Sequence, residues 1–185
     1  MRLTRAQIVD SAYTALCERG LSALSMRRLA QDLGVQPGAL YYHVANKQEM
    51  LAAVATRILD EVPLSATDAR TAALDLRAAL LRVRDGAEVV SFVQAFRPDL
   101  LAPTRELHRL FADRFAPREA QWAARTVVHY VLGFVAEEQN LAELVRAQIV
   151  NDKPTQVVDS AKAFLFGIDA ILRGLAAAPP QPPND

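Results

Sequence analysis

SMRRLAQDLGVQPGALYYHVANK, residues 25–47, reads as two short helices joined by a tight turn. Ser25 is a helix N-cap type, and Gly34 suits the left-handed position just past a helix end. Pro37 fits the first turn of the next helix, where its missing N–H has no intrahelical partner to lose. The spacing predicts one helix between Ser25 and Gly34 and a second from Pro37 to about His43. Leu29, Ala30 and Leu33 face inward from the first. Leu40 and Val44, four apart, face inward from the second, which leaves Gln36, Gly38, Ala39, Tyr42 and His43 outside and Tyr41 at the boundary. This is the outline of a helix-turn-helix that lays its second helix in the DNA major groove.

The outward residue types suit that task. Pro37, Gly38 and Ala39 form a low-relief surface that permits close approach. Ala39 suits a thymine methyl and Gln36 a base edge, while Arg27 or Arg28, in the first turn of the preceding helix, suits the O6/N7 fork of guanine. Tyr41, Tyr42, His43 and Lys47 suit phosphate oxygens, which position a protein without reading sequence. Taken singly, an exposed arginine is ordinary solvated surface and a tyrosine is ordinary core edge. The spacing of the set carries the reading.

Outward from this stretch, Thr4 and Gln7 form a capping box ahead of Ile8, Ala12, Ala15 and Leu16, and Gly20 closes that helix. Asn46 and Glu49 form another box, opening a longer helix to about Glu61. The predicted organisation is a DNA-binding domain over 1–46, a connecting helix over 47–62, a helical body over 63–176 and a disordered, proline-rich tail over 177–185. The net charge of zero conceals a division: residues 1–57 carry seven Arg/Lys against four Asp/Glu, and residues 58–185 carry fourteen against seventeen. A basic front on an acidic body is compatible with nucleic-acid binding by the front only, and the small excess carries little weight alone. The single cysteine, Cys17, forbids an intramolecular disulfide and reads as a buried small hydrophobe in a reducing compartment. No signal peptide is visible, and the longest apolar run, 164–175, is interrupted by Asp169 and Arg173 and too short to span a membrane. A cytoplasmic protein with no membrane partner is expected.

In the body, residues 68–84 form an amphipathic pattern with Ala72, Leu76, Ala79, Leu80 and Val83 on one face. Asp85 to Glu88 reads as a capping box for a short helix, Thr104 as the cap of another running through Phe111 and Phe115, and Pro117 as the start of a long helix to about Gln139. VVHYVLGFVA (127–136) and AKAFLFGIDAILRGL (161–175) are apolar nearly all round, which implies burial on two sides. One side is the chain's own core. The other suits a second copy, with Gly133, Gly167, Ala170 and Gly174 allowing close approach. The expected partner is therefore a homodimer through helices near 118–139 and 157–175, packed as a four-helix bundle.

These segments resemble the TetR family of bacterial repressors. The carriers are Leu29-Ala30, Leu33-Gly34-Val35, Leu40 to Val44, Asn46-Lys47 and Met50-Leu51, and in the body LLRVRDGAEV (80–89), HYVLGFVAEEQ (129–139) and AFLFG (163–167). The resemblance implies an all-α fold, with the third helix reading the groove through Tyr41, Tyr42 and His43, Lys47 on a phosphate and Arg27 reading a base. Gln36 departs from the Ser or Thr of many relatives. The body is similar to that of the tetracycline repressors, yet Ala72, Leu76 and Val90 stand where those have Asn, Phe and His, and Pro63 where they have another His. Glu137, His129 and Gln139 remain, and one carboxylate is a poor magnesium site. No tetracycline–magnesium response, metal or cofactor is expected.

A pocket for a different, unidentified small molecule is expected from Leu76, Leu80, Val90, Phe92, Phe96, Phe111, Trp122, His129, Tyr130 and Phe134, an apolar wall with a few polar groups. The same residues also suit plain core filling. No Ser/His/Asp or Cys/His set, phosphate loop or metal-spaced cluster is present, so the chain does not read as an enzyme. The expected function is repression of a palindromic operator, relieved by an effector. An activator and an effector-independent dimer remain open alternatives.

Overall fold

The structure is a computed structural model that describes residues 3–63, 65–98, 101–150 and 154–178, with side chains in the last segment from Asp159. The tail predicted over 177–185 lies mostly outside the described residues. Among the described residues nine α-helices run in order: α1 Arg5–Arg19, α2 Met26–Asp32, α3 Pro37–Tyr41, α4 Lys47–Leu59, α5 Ala69–Leu81, α6 Gly86–Phe96, α7 Ala102–Ala112, α8 Pro117–Arg146 and α9 Pro154–Ala177. A 3₁₀ turn, Leu21–Ala23, joins α1 to α2. No described helix is long and apolar enough to cross a membrane.

The front helices begin where their side chains supply the missing backbone acceptors. The Thr4 N–H donates to Gln7 Oε1 at 2.9 Å and Thr4 Oγ1 accepts from the Gln7 N–H, completing the expected box. Ser25 Oγ accepts from the Arg28 N–H at 3.2 Å. Asn46 Oδ1 accepts from the Glu49 N–H at 2.9 Å, but this box is half made, because the Glu49 carboxylate turns to Arg97 at 3.3 Å. Asp68 caps α5 through the Thr71 N–H, and that hydrogen bond holds its carboxyl below the usual range. Ile8, Leu16, Leu29, Leu40 and Met50 fill the front core. Each such side chain contributes about 1.5–3 kcal/mol. Cys17 is half-buried against this core, and burial pushes its thiol up, so it behaves as packing rather than as a nucleophile.

Two expected caps in the body are not made. Asp85 lies in the left-handed region (φ 56°) and makes no side-chain cap for α6. Its carboxylate points out of the body and accepts the Leu21 N–H at 2.6 Å. Thr104 sits inside α7, which begins two residues earlier with Leu101 in the cap position, and its Oγ1 is buried without a partner. Helix α7 also ends before Phe115, although Phe111 and Phe115 still meet edge-on. Helix α3 stops at Tyr41, short of the expected His43, and α8 continues past Gln139 to Arg146.

The body is built around α8. Gln139 stitches it to the α5–α6 turn: its Nε2 donates to Leu80 O at 2.9 Å and Val83 O at 2.7 Å, and its Oε1 accepts from the Ala87 N–H at 3.1 Å. Arg77 on α5 forks onto Glu138 and lies 5.0 Å over the Phe164 ring, while Ser160 donates to Glu138 at 2.6 Å. Gly167, expected to admit a partner subunit, is filled from within, since a Cβ there would lie 2.1 Å from the Tyr130 hydroxyl. Gly133 and Gly174 face open space. Removing the three Gln139 bonds strands buried backbone groups at about 1 kcal/mol each. Gln139→Ala is therefore expected to lower stability by about 2–4 kcal/mol in urea unfolding; a change within about 0.5 kcal/mol would show that the turn holds itself.

Candidate functional site

Helix α3 is anchored by one face. Leu40 and Val44 are buried, and the remaining surface is turned to solvent: Gln36, Pro37, Gly38 and Ala39 are exposed, as are Arg27, Arg28 and Lys47 beside them. Tyr42 is 82% exposed and Tyr41 51%, which removes the core-edge reading for both and moves Tyr41 off the boundary. His43 is half-buried with its ring edge-on to Tyr42, centroids 5.2 Å apart. A Cβ on Gly38 would meet nothing within 4 Å, so packing inside the chain does not require its small size. Gln36 holds the N-cap position in extended conformation without a side-chain cap bond, leaving its amide unspent there. Arg27, Arg28 and Lys47 make no ion pair among the described residues, so three cations flank a protruding aromatic pair.

The turn that sets this face is local. Gly34 takes φ 65°, its N–H donates to Gln31 O at 3.1 Å, and the Val35 N–H donates to Ala30 O at 3.0 Å. The two bonds close α2 and redirect the chain into α3. An ion pair between Arg19 and Asp32 braces α2 against α1.

The front is held to the body at both ends of α6. At its start, Asp85 accepts the Leu21 N–H, and Arg84 Nη1 donates to Glu18 O at 3.3 Å and pairs with Glu143. Gly20 makes this approach possible, since a Cβ there would lie 2.7 Å from Asp85 Oδ2. Its φ 77°, ψ 175° is also a region that only glycine occupies readily. At the far end, Arg97 reaches Glu49 in the first turn of α4. Arg82 adds a bond to Glu61 at 2.8 Å. Sequence reading missed the Gly20–Asp85 contact, for which the only local sign was an Asp-Gly pair that also fits a cap.

The residues expected from sequence to line a pocket lie in different surroundings. Leu76, Leu80, Val90 and Phe111 are core. Tyr130 and Phe134 pack with Phe164, and the Tyr130 hydroxyl donates to Phe164 O at 3.0 Å. Phe92, Phe96 and Trp122 are exposed. Of the ten, His129 and Phe92 line one groove, of about 610 Å³, with Asp85, Glu88 and Asn140. A larger cavity of about 780 Å³ opens between α6, α7 and α8, lined by Gln94, Thr104, Arg105, His108, Arg118 and Arg125 among others. Leu76, Leu80, Val90 and Phe111 satisfy the inward faces of their own helices, whereas Phe92, Phe96, Trp122 and His129 are turned outward. No group of three or more His, Cys, Asp or Glu that could hold a metal occurs among the described residues.

Residues 8–54 match the family model for bacterial regulatory proteins of the tetR family, and residues 66–178 match the tetracycline repressor-like C-terminal domain. The chain belongs to the TetR family. It is 32% identical to the class D tetracycline repressor protein of Escherichia coli, over 94% of this chain and 89% of that one. It superposes on the crystal structure of BioQ with its natural double-stranded DNA operator with a TM-score of 0.78 at 36% identity, covering 95% and 99% of the two chains. For a TetR variant from Acinetobacter baumannii AYE in complex with minocycline, the TM-score is 0.76 at 32% identity, covering 94% and 97%.

Of the four positions singled out against the tetracycline repressors, three are interior and Pro63 is exposed. Ala72, Leu76 and Val90 are all buried, and Gln139 is spent on the α5–α6 turn. Glu137 and His129 lie exposed on α8. The head–body contact has a direct test. Gly20→Ala is expected to cost about 1–3 kcal/mol from backbone strain and displacement of Asp85. Combined with Asp85→Ala, the loss in urea unfolding should fall short of the sum of the single losses, because both changes break one contact. Strict additivity would show that the two residues do not meet.

Proposed function

We propose that this chain is a cytoplasmic, homodimeric transcriptional repressor that binds a palindromic operator and is released by a small molecule. The observation that carries the DNA-binding part is the exposed set Tyr41, Tyr42, Arg27, Arg28 and Lys47 around an α3 whose inner face is spent on Leu40 and Val44. Arg27 and Gln36 read base edges, Ala39 meets a thymine methyl, and Tyr42, His43 and Lys47 hold phosphates. Residues 1–46 act as the reading domain, 47–62 as the connector and 63–176 as the effector and dimer body. In this reading the chain is a regulator and not an enzyme.

The dimer face is the outward side of α8 and α9. Trp122, Thr126, His129 and Gly133 recur there at helical spacing, as do Ala163, Phe166, Ala170 and Gly174 on α9, all exposed. Phe166 is 74% exposed, a large apolar side chain that a second copy would cover. Two α8–α9 pairs make a four-helix bundle and place two α3 helices for successive major-groove half-sites, about 34–36 Å apart.

Release follows from linkage. An effector that favours a differently spaced dimer lowers operator affinity only by its differential affinity for the two states. Helix α6 is the route, since it borders the 780 Å³ cavity and touches the head at both ends. The interior Ala72, Leu76 and Val90 support the view that tetracycline with magnesium is not that effector.

Two measurements test this. Tyr42→Ala with Lys47→Ala is expected to abolish specific operator binding while leaving the dimer intact by analytical ultracentrifugation. Lys47→Ala alone should weaken binding to all sequences alike and reduce the salt slope by about one. Unchanged DNA affinity in the double variant would overturn the reading. Saturating tetracycline with magnesium should leave both operator affinity and melting temperature unchanged.

A further inference from the structure

Phe166, on the outward face of α9, is the most exposed large apolar side chain of the described body. Gly133, on the outward face of α8, has the opposite shape. Among the described residues a Cβ there would meet nothing within 4 Å. Glycine weakens a helix interior relative to alanine, and no described packing within the chain requires it at this position.

The two positions lie at one level of the body. Helices α8 and α9 run antiparallel: Tyr130 donates to Phe164 O at 3.0 Å, while Glu138, further along α8, accepts from Ser160, earlier on α9. Phe166 is therefore level with Tyr130, about one helical turn from Gly133. Gly133 also belongs to the 610 Å³ groove between α6 and α8. His129, Gly133, Ala136 and Asn140 line it from α8 at i, i+4, i+7 and i+11, and Ser91 and Phe92 line it from α6. Phe92 is exposed and lies edge-on to Phe96, also exposed, with ring centroids 5.3 Å apart. The apolar surface of the dimer face thus continues from α8 onto α6. Phe92 and Glu88 further border a hollow with Leu21, Lys47 and Leu51 of the head.

We propose that the partner's Phe166 enters this groove, over Gly133 and against Phe92, and that the two-fold makes the contact twice. The groove is continuous with the dimer face, because His129 and Gly133 belong to both. A two-fold running along the bundle lays α9 of each copy on α8 of the other without a shift in level, so ring and glycine meet. Gly133 lets the ring approach the α8 backbone, and Phe92 supplies an aromatic neighbour, whose edge or face suits a second ring. The contact rests on the α8–α9 dimer proposed above. Its consequence is that the partner bears on α6 directly, through a side chain that also walls the hollow beside Lys47. Subunit pairing and head position then share one residue.

The test uses the full chain, with dimer dissociation followed by sedimentation over a dilution series. Gly133→Leu and Phe166→Ala are each expected to weaken dimerisation by about tenfold or more, with helical circular dichroism unchanged. Phe92→Ser should weaken it as well. Combined in one chain, Gly133→Leu and Phe166→Ala should lose less than Gly133→Leu alone, since the added side chain takes the space the ring has left. Ala170→Glu, on the same face of α9, breaks any dimer built on that face. Dimerisation unchanged by Gly133→Leu overturns the proposal, and is the result expected if residues 179–185 or an outside molecule filled the groove. Losses that multiply in the double variant, or no effect of Phe92→Ser, overturn it too. If Ala170→Glu dissociates the dimer while Gly133→Leu does not, the contact falls and the α8–α9 dimer stands. If neither does, both fall.

Discussion

The α5–α6 turn is the constraint on which the rest of the molecule depends. Asp85 takes a left-handed conformation there, and the glycine that follows has no room for a side chain, since a Cβ on Gly86 would lie 2.9 Å from Leu80 O. Gln139 satisfies two carbonyls and one N–H of that turn from the C-terminal third of α8. With the backbone so held, the Asp85 carboxylate is free to leave its own helix and take the Leu21 N–H. A cap-forming aspartate would have stabilised α6 locally and left the head without this attachment. The local loss adds this contact to the Arg84, Arg82 and Arg97 bonds that hold the two halves of the chain together.

Helix α6 is then a short rod with a task at each end and one in the middle. Its start touches the 3₁₀ turn that leads into α2. Its end presents Arg97 to Glu49, two residues beyond Lys47. Between them Gln94 lines the cavity. A displacement of α6 by a ligand therefore bears on both the helix preceding the reading helix and the one following it. Such movement is resisted by the packing of Val89, Val90 and Val93, all buried, which favours shift of the whole rod over bending.

The front of the chain was legible because its determinants are local. Thr4, Ser25 and Asn46 cap within three residues, Gly34 requires only its own φ, and the inward pair Leu40 and Val44 follows from helical spacing. The outward face of α3 was therefore readable by subtraction. The body was legible as helices and as a dimer-competent α8 and α9, but not as a site. Asp85 and Thr104 carry side chains that cap helices in most settings, and tertiary partners decided otherwise. Gly167 looked like a concession to a second copy, whereas its missing side chain accommodates Tyr130 of the same chain. The cavity was missed because its residues, Gln94, Thr104, Arg105 and Arg118, lie on three helices and have no sequence spacing in common. The aromatic set that seemed a natural pocket lining was instead divided between the core, a Phe164 cluster and the surface.

Magnitudes decide which of the head–body contacts can transmit an effector's binding. Arg97–Glu49 and Arg82–Glu61 are largely exposed pairs, and such pairs contribute about 0.2–1 kcal/mol, less in salt. The Asp85 bond to the Leu21 N–H is part-buried and charge-assisted, a class that contributes about 1.5–3 kcal/mol. Allosteric couplings fall at about 1–3 kcal/mol, or 5- to 150-fold in affinity. The two surface pairs together amount to about 0.4–2 kcal/mol before salt screening, overlapping only the lower half of that range, while the Asp85 contact alone falls in its upper part. A coupling carried by Asp85 would persist at high salt, and one carried by the arginine pairs would fade, so the geometry at Gly20 and Asp85, rather than the visible ion pairs, sets how strongly the body can govern the head.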